Sequence, residues 1–141
     1  MTKKLKERLE LAFKLTYDLF ENLDEACLQL DLPKLQSNRI ASQVWCIVGA
    51  RESYTKAIQA NCWQGFSCSL KSPGQKQSVL TALDATREKL HAIEFDGLTE
   101  TQLDLALRLL EHEVQHHGQL IRYVYGNGLS FPLSWSERYT V

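Results

Sequence analysis

The sequence predicts an all-α protein: a four-helix bundle with a short C-terminal tail packed on it. Three observations carry this expectation. Apolar residues recur at steps of three and four through four separate segments. Helix-start and helix-stop residues divide those segments. No segment alternates apolar and polar residues as a half-buried strand does. Helices with one apolar stripe each must bury those stripes against one another, and four antiparallel helices do so economically.

The first helix is expected from about Lys3 to Leu30. Leu5, Leu9, Ala12, Phe13, Thr16, Phe20, Leu23, Cys27 and Leu30 mark one face, and Asp31-Leu32-Pro33 stops it. Ser37 is placed to cap a second helix, from about Asn38 to Gln59, with Ile40, Val44, Ile47, Val48, Tyr54, Ala57 and Ile58 inward. Gly49 costs helix stability at mid-helix, which points to a close neighbour. Asn61 to Lys71 fits neither period and reads as a packed loop or turn. Ser72-Pro73-Gly74-Gln75 reads as a capping box opening a third helix, which runs to about Ile93 with Val79, Leu80, Leu83, Leu90 and Ile93 inward. Thr99 and Gln102 repeat the box. The fourth helix then runs to about Tyr125, closed by Gly126-Asn127-Gly128, with Leu103, Ala106, Leu110, Val114, Ile121 and Val124 on its apolar side. Phe131, Pro132, Trp135 and Tyr139 are expected to fold the tail back onto the helices.

Residues 1–141 suffice for a single domain with a real core: 44% are hydrophobic and 23% charged. Sixteen Lys and Arg against seventeen Asp and Glu give a net charge of −1, which argues against a nucleic-acid partner. The amphipathic N-terminus lacks a signal peptide's apolar core, and no stretch approaches the roughly 20 apolar residues of a membrane span. A cytoplasmic protein with no membrane partner is expected. Cys27, Cys46, Cys62 and Cys68 form no CxxC and read as small apolar residues. A pairing of Cys62 with Cys68, six residues apart, is the alternative.

His112 and His116 are four apart on the fourth helix. That spacing sets them ~40° apart around the axis and ~6 Å along it, so both can reach one metal ion. Two half-buried, hydrogen-bonded histidines are the alternative. His117 points away and reads as a surface or supporting residue. His91 suits the end of its helix as a cation. His112-Glu113-x-x-His116 also satisfies HExxH, the zinc-peptidase pattern with the glutamate as general base. Glu137 would be its third ligand, yet it lies beyond two glycines and a proline, and no edge strand is visible for a peptide.

His112-x-x-x-His116-x-Gly118-Gln119-Leu120, followed by Gly128, Pro132 and Trp135, resembles the C-terminal signature of the DinB-like four-helix superfamily. Trp45-x-x-x-Gly49-Ala50-Arg51-x-x-Tyr54 resembles that family's second helix. The resemblance covers nearly the whole chain. It implies a divalent metal, zinc or nickel, held by three histidines, two of them at His112 and His116. The third family position falls on Cys46, because this second helix has no histidine. A site of Cys46, His112 and His116 with an open fourth position is chemically sound, and loss of the metal with Cys46 as an apolar residue is equally consistent. Gln43, nearly one turn before Cys46, could approach the same space. Gln119 could hydrogen-bond a metal ligand or bound water, or bond between helices.

The resemblance further implies a homodimer, and some relatives are thiol-dependent S-transferases that join a small-molecule thiol to an electrophile. Tyr17, Trp45 and Tyr54 near polar faces suit an interface between copies. The readings are then a metal-binding protein of this type, transferase included; a metal-free member that binds small molecules or a second copy; and an HExxH peptidase. Metal binding is expected to fall below about pH 6 as the histidines protonate.

Overall fold

The computed structural model describes residues 1–141 and is all-α. Its elements are α1 (Thr2–Asn22), a 3-10 turn (Glu25–Gln29), α2 (Ile40–Ala60), α3 (Lys76–His91), α4 (Glu100–Gly126) and α5 (Leu133–Tyr139). There is no strand. The four long helices pack side by side, with α2 against α4 as the most extensive interface. No helix is long and apolar enough to cross a membrane.

Helix α1 is shorter than the periodicity predicts. Leu23 and Asp24 are extended, and the expected last turns become the 3-10 turn. Asn22 and Asp24 are residues that compete with helix through their side chains, and the Asn22 amide donates to the Ser130 carbonyl at 2.9 Å. The change of direction buries Leu23 and Leu28 at the end of the core.

Two helix starts also differ from expectation. Ser37 Oγ accepts from Leu32 N at 2.8 Å, so it braces the loop while α2 begins at Ile40. Ser72-Pro73-Gly74-Gln75 forms a turn closed by Gln75 N to Ser72 O at 3.1 Å. Turn chemistry of Pro followed by Gly prevails over the capping pattern. The first N–H of α3, on Lys76, is accepted instead by the Glu25 carboxylate at 3.0 Å. The Thr99–Gln102 capping box forms as predicted, with both reciprocal bonds.

Gly49 has the close neighbour its position predicts. A Cβ there would lie 2.3 Å from Phe66 Cζ and 3.0 Å from Cys68 Cβ. The segment between α2 and α3 thus lies directly on the α2 backbone. Phe66 also meets Trp45, and Trp63 meets Tyr54, at centroid distances of 5.4 and 5.0 Å.

The tail folds back onto the helices as expected, and Leu133–Tyr139 of it is helical. Trp135 is fully buried and donates Nε1–H to Leu15 O at 2.6 Å. Phe131 stacks on it, and Tyr139 meets it at a tilt. Truncation after Gly128 is expected to cost at least the roughly 3–5 kcal/mol of deleting one buried tryptophan. Thermal melts of the truncated chain check this, and an unchanged midpoint would count against it.

The apolar core falls into two clusters. One gathers Leu15, Leu19, Ile40, Val44, Ile47, Val79, Leu83, Leu120 and Val124, and the other Leu9, Phe13, Ala57, Ile58, Leu90, Leu105 and Leu109. Along every long helix, a buried polar residue stands between the two: Thr16 on α1, Arg51 on α2, Thr86 on α3, and Glu113 with His117 on α4. This polar layer explains why the inward face of α4 departs from the predicted stripe. Leu105, Leu109, Glu113, Leu120 and Tyr123 are buried there, while Val114 is exposed.

Candidate metal centre

Cys46 on α2 and His112 and His116 on α4 converge. Their ligand atoms all lie within 4.8 Å of one another, and Cys46 Sγ is 3.6 Å from His112 Nε2. In a tetrahedral zinc site with ordinary bond lengths, neighbouring sulfur and nitrogen ligands are about 3.6 Å apart. Cys46 and His112 are half-buried, and His116 is buried. The spacing of four places the two imidazoles one turn apart, with centroids 4.6 Å apart.

The hydrogen bonds around His116 fix its tautomer. Gln43 Nε2 donates to Asn38 Oδ1 at 2.9 Å, which turns Gln43 Oε1 toward His116 Nδ1 at 2.6 Å. A carbonyl oxygen only accepts, so Nδ1 carries the proton and Nε2 keeps the free lone pair. Tyr123 holds Asn38 in turn, donating to its carbonyl and side-chain oxygens at 2.8 and 2.7 Å. The supporting amide is therefore Gln43. Gln119 is solvent-exposed and bonds to neither imidazole. Proximity along one helix carries no information on where the second helix brings its amide.

His112 Nδ1 is buried and has no hydrogen-bond partner. Burial holds the His112 pKa below its ordinary value against the opposing pull of Glu113. Burial, helped by His112, takes His116 down to about 4. Both rings are thus neutral at pH 7, the form that ligates metal. Burial pushes the Cys46 thiol up, so its thiolate needs a compensating cation. A divalent cation would supply that charge, and the donor set of one sulfur and two imidazoles suits zinc or nickel.

Glu113 does not serve this cluster. Arg51 Nε donates to its Oε2 at 3.1 Å and Arg51 Nη2 to its Oε1. Thr16 also donates to Oε1, at 2.5 Å. Burial raises the Glu113 pKa, but the charge and hydrogen bonds of Arg51 outweigh it and hold the carboxyl below its ordinary range. Arg51 is satisfied as well, by Thr86 Oγ1 at 3.2 Å, the Leu83 and Phe13 carbonyls, and the Phe13 ring 3.7 Å away. The HExxH pattern therefore has its glutamate committed to an ion pair, and Glu137 is exposed on α5.

Of the two roles expected for His117, surface or supporting, the surface one does not hold, because His117 is fully buried. Its Nε2 lies 2.7 Å from Thr16 Oγ1 and its Nδ1 2.6 Å from the Tyr139 hydroxyl. With Thr16 donating to Glu113, the chain of bonds runs Tyr139, His117, Thr16, Glu113, Arg51. Burial drives the His117 pKa down to about 4. Below its unfolded value near 6.5, the unfolded chain takes up a proton that the fold refuses. Stability is thus complete above that pH and declines as pH falls toward 4, by about 3 kcal/mol in all. Urea denaturation between pH 7 and 4 tests this, with His117→Gln flattening the decline.

His91 pairs with Glu10 at 2.8 Å on the surface. All four cysteines are free, and Cys62 is exposed, so neither its expected burial nor a Cys62–Cys68 bond is found.

Helical packing and this side-chain group define an all-α protein with a candidate Cys-His-His metal centre. No protein-family model matches the chain, and no curated protein matches it.

Proposed function

We propose that the chain is a divalent-metal-binding protein of the DinB-like four-helix type, with Cys46, His112 and His116 as ligands. The observation that carries this reading is the convergence of three donor atoms from α2 and α4 within 4.8 Å of one another. The Gln43 bond to His116 Nδ1, which leaves Nε2 free to ligate, supports it. A bound zinc or nickel ion with an open fourth position lowers the pKa of a thiol and holds it as a nucleophile. The activity proposed is thiol-dependent S-transfer to small electrophiles. In that reaction Gln43 orients His116, and the exposed Trp45 beside Cys46 in sequence offers apolar surface near the site.

The second reading is a metal-free member that binds a small molecule or a second copy. It draws on the Cys46–His112 contact at 3.6 Å, in which thiol and imidazole can satisfy each other without an ion. Elemental analysis of the full-length chain, followed by zinc titration against a chromophoric chelator, separates the two. One zinc or nickel per chain supports the first, and no uptake of either supports the second.

The proposal includes a two-fold homodimer. Trp45, Trp63 and Phe66 are 40–49% exposed, and they form two aromatic pairs along α2, Trp45 with Phe66 and Tyr54 with Trp63, more aromatic surface than one copy needs in water. Sedimentation at tens of micromolar should give twice the 16.2 kDa chain mass. A monomer throughout that range would reject the dimer.

A further inference from the structure

A polar cavity lies between α2, α3 and the segment joining them. It measures about 330 Å³ and is lined by Glu52, Thr55, Lys56, Gln59, Ser69 and Lys89, with no hydrophobic residue. It shares none of the three residues of the candidate metal centre. Lys56 and Lys89 take part in none of the chain's ion pairs. Thr55 is only 4% exposed, and its hydroxyl is buried without a hydrogen-bond partner. A helical threonine ordinarily returns its hydroxyl to the carbonyl one turn back. Here that bond is absent, and a buried hydroxyl left single is costly enough that it calls for a partner. Glu52 is engaged from the other direction: its carboxylate accepts Ser69 N at 2.8 Å and the Ser69 hydroxyl. Those bonds hold the connecting segment against the cavity.

We propose that this cavity binds a phosphate-class oxyanion, with Lys56 and Lys89 as cationic donors and the Thr55 hydroxyl as a buried third donor. Two ammonium groups against one carboxylate leave the lining net positive. The carboxylate also sets selectivity. Glu52 can only accept, so it favours an anion that still carries an O–H, as hydrogen phosphate does, over sulfate, which has none at neutral pH. The same phosphoryl chemistry could come from inorganic phosphate or from a phosphate monoester.

The test is calorimetric titration of the full chain in phosphate-free buffer with inorganic phosphate, glycerol phosphate and sulfate. Saturable phosphate binding is expected at about 1 mM or tighter, with sulfate at least about tenfold weaker. Stronger binding of glycerol phosphate would identify a monoester as the source, and stronger binding of inorganic phosphate would identify the free anion. Lys56→Ala and Lys89→Ala, both surface changes, should each weaken binding about tenfold, as loss of a charge-assisted bond does. Thr55→Val should weaken it similarly. That variant should also melt no lower than the parent without phosphate, because it removes an unpartnered hydroxyl, and should show a smaller rise in melting temperature at the same phosphate concentration. Glu52→Gln should narrow the gap between phosphate and sulfate. Absence of saturable binding, undiminished affinity in Thr55→Val, or equal affinity for sulfate would each overturn the proposal.

Discussion

Replacing Arg51 with Ala is expected to destabilise the protein by about 3–5 kcal/mol, the usual cost of stranding one half of a buried ion pair. Glu113 would be left fully buried with Thr16 as its remaining donor, and the hydroxyl of Thr86 would lose the guanidinium. Against a total stability of about 5–15 kcal/mol this is a large fraction, and the melting midpoint should drop by about 10 °C or more. Glu113→Ala should do comparable damage from the other side by leaving the Arg51 charge uncompensated. The two losses should not add. With both residues changed to Met, no charge is stranded, and the double variant should be more stable than either Ala variant. Urea denaturation of the three proteins reads this directly. Equal stability of Arg51→Ala and the parent would show that the pair is energetically idle.

Loss of metal binding in His116→Ala is the second large effect. It removes one of three protein ligands outright, so the fall should exceed the roughly 10–100-fold seen when a supporting residue such as Gln43 is changed. Cys46→Ser should weaken zinc strongly, whereas Cys46→His should bind zinc or nickel at least as well as the parent. The pH dependence separates the ligands. His116 stays neutral down to about pH 4, so its protonation does not weaken binding near pH 6 as its ordinary value implies. Cys46 is raised by burial and must give up its proton to the solvent when a cation binds. Affinity should therefore fall about tenfold per pH unit from pH 7 downward, with one proton released per ion. Calorimetry in buffers of different ionisation enthalpy counts that proton. In Cys46→His the release at pH 7 and above should nearly vanish. Zinc affinity unchanged in His116→Ala would remove His116 from the site and break the proposed three-ligand set.

Residues that announce themselves locally were legible in the sequence. The His112–His116 spacing, the Thr99–Gln102 box and Gly49 depend on neighbours within a turn or two, or on a single missing side chain. The position of Cys46 came from resemblance, and the geometry agrees with it to the extent that its sulfur reaches His112. What stayed hidden depends on distant partners. Thr16 meets Glu113 across 97 positions, and Arg51 meets it across 62. An arginine and a glutamate on amphipathic helices are ordinarily solvated, and nothing in the periodicity says that these two are enclosed. Ser37 and Ser72 misled for another reason: a serine hydroxyl serves a loop or a turn as readily as a helix end. Gln43 and Gln119 were both within plausible reach of the histidines, and only the packing of α2 on α4 decides between them.

The polar layer between the two apolar clusters also fixes how the helices slide past one another. Leu, Ile and Val are nearly interchangeable partners, so a wholly apolar interface tolerates a displacement of one turn, about 5.4 Å along the axis. Here such a slip would carry the Arg51 guanidinium off Glu113 and into a row of aliphatic side chains. It would equally part Thr16 from His117 and Tyr139 from its histidine. The layer thus works as a registration pin through α1, α2, α3, α4 and the tail. Because Glu113 sits between His112 and His116 in the chain, the pin that aligns α2 with α4 also sets Cys46 level with its two imidazoles.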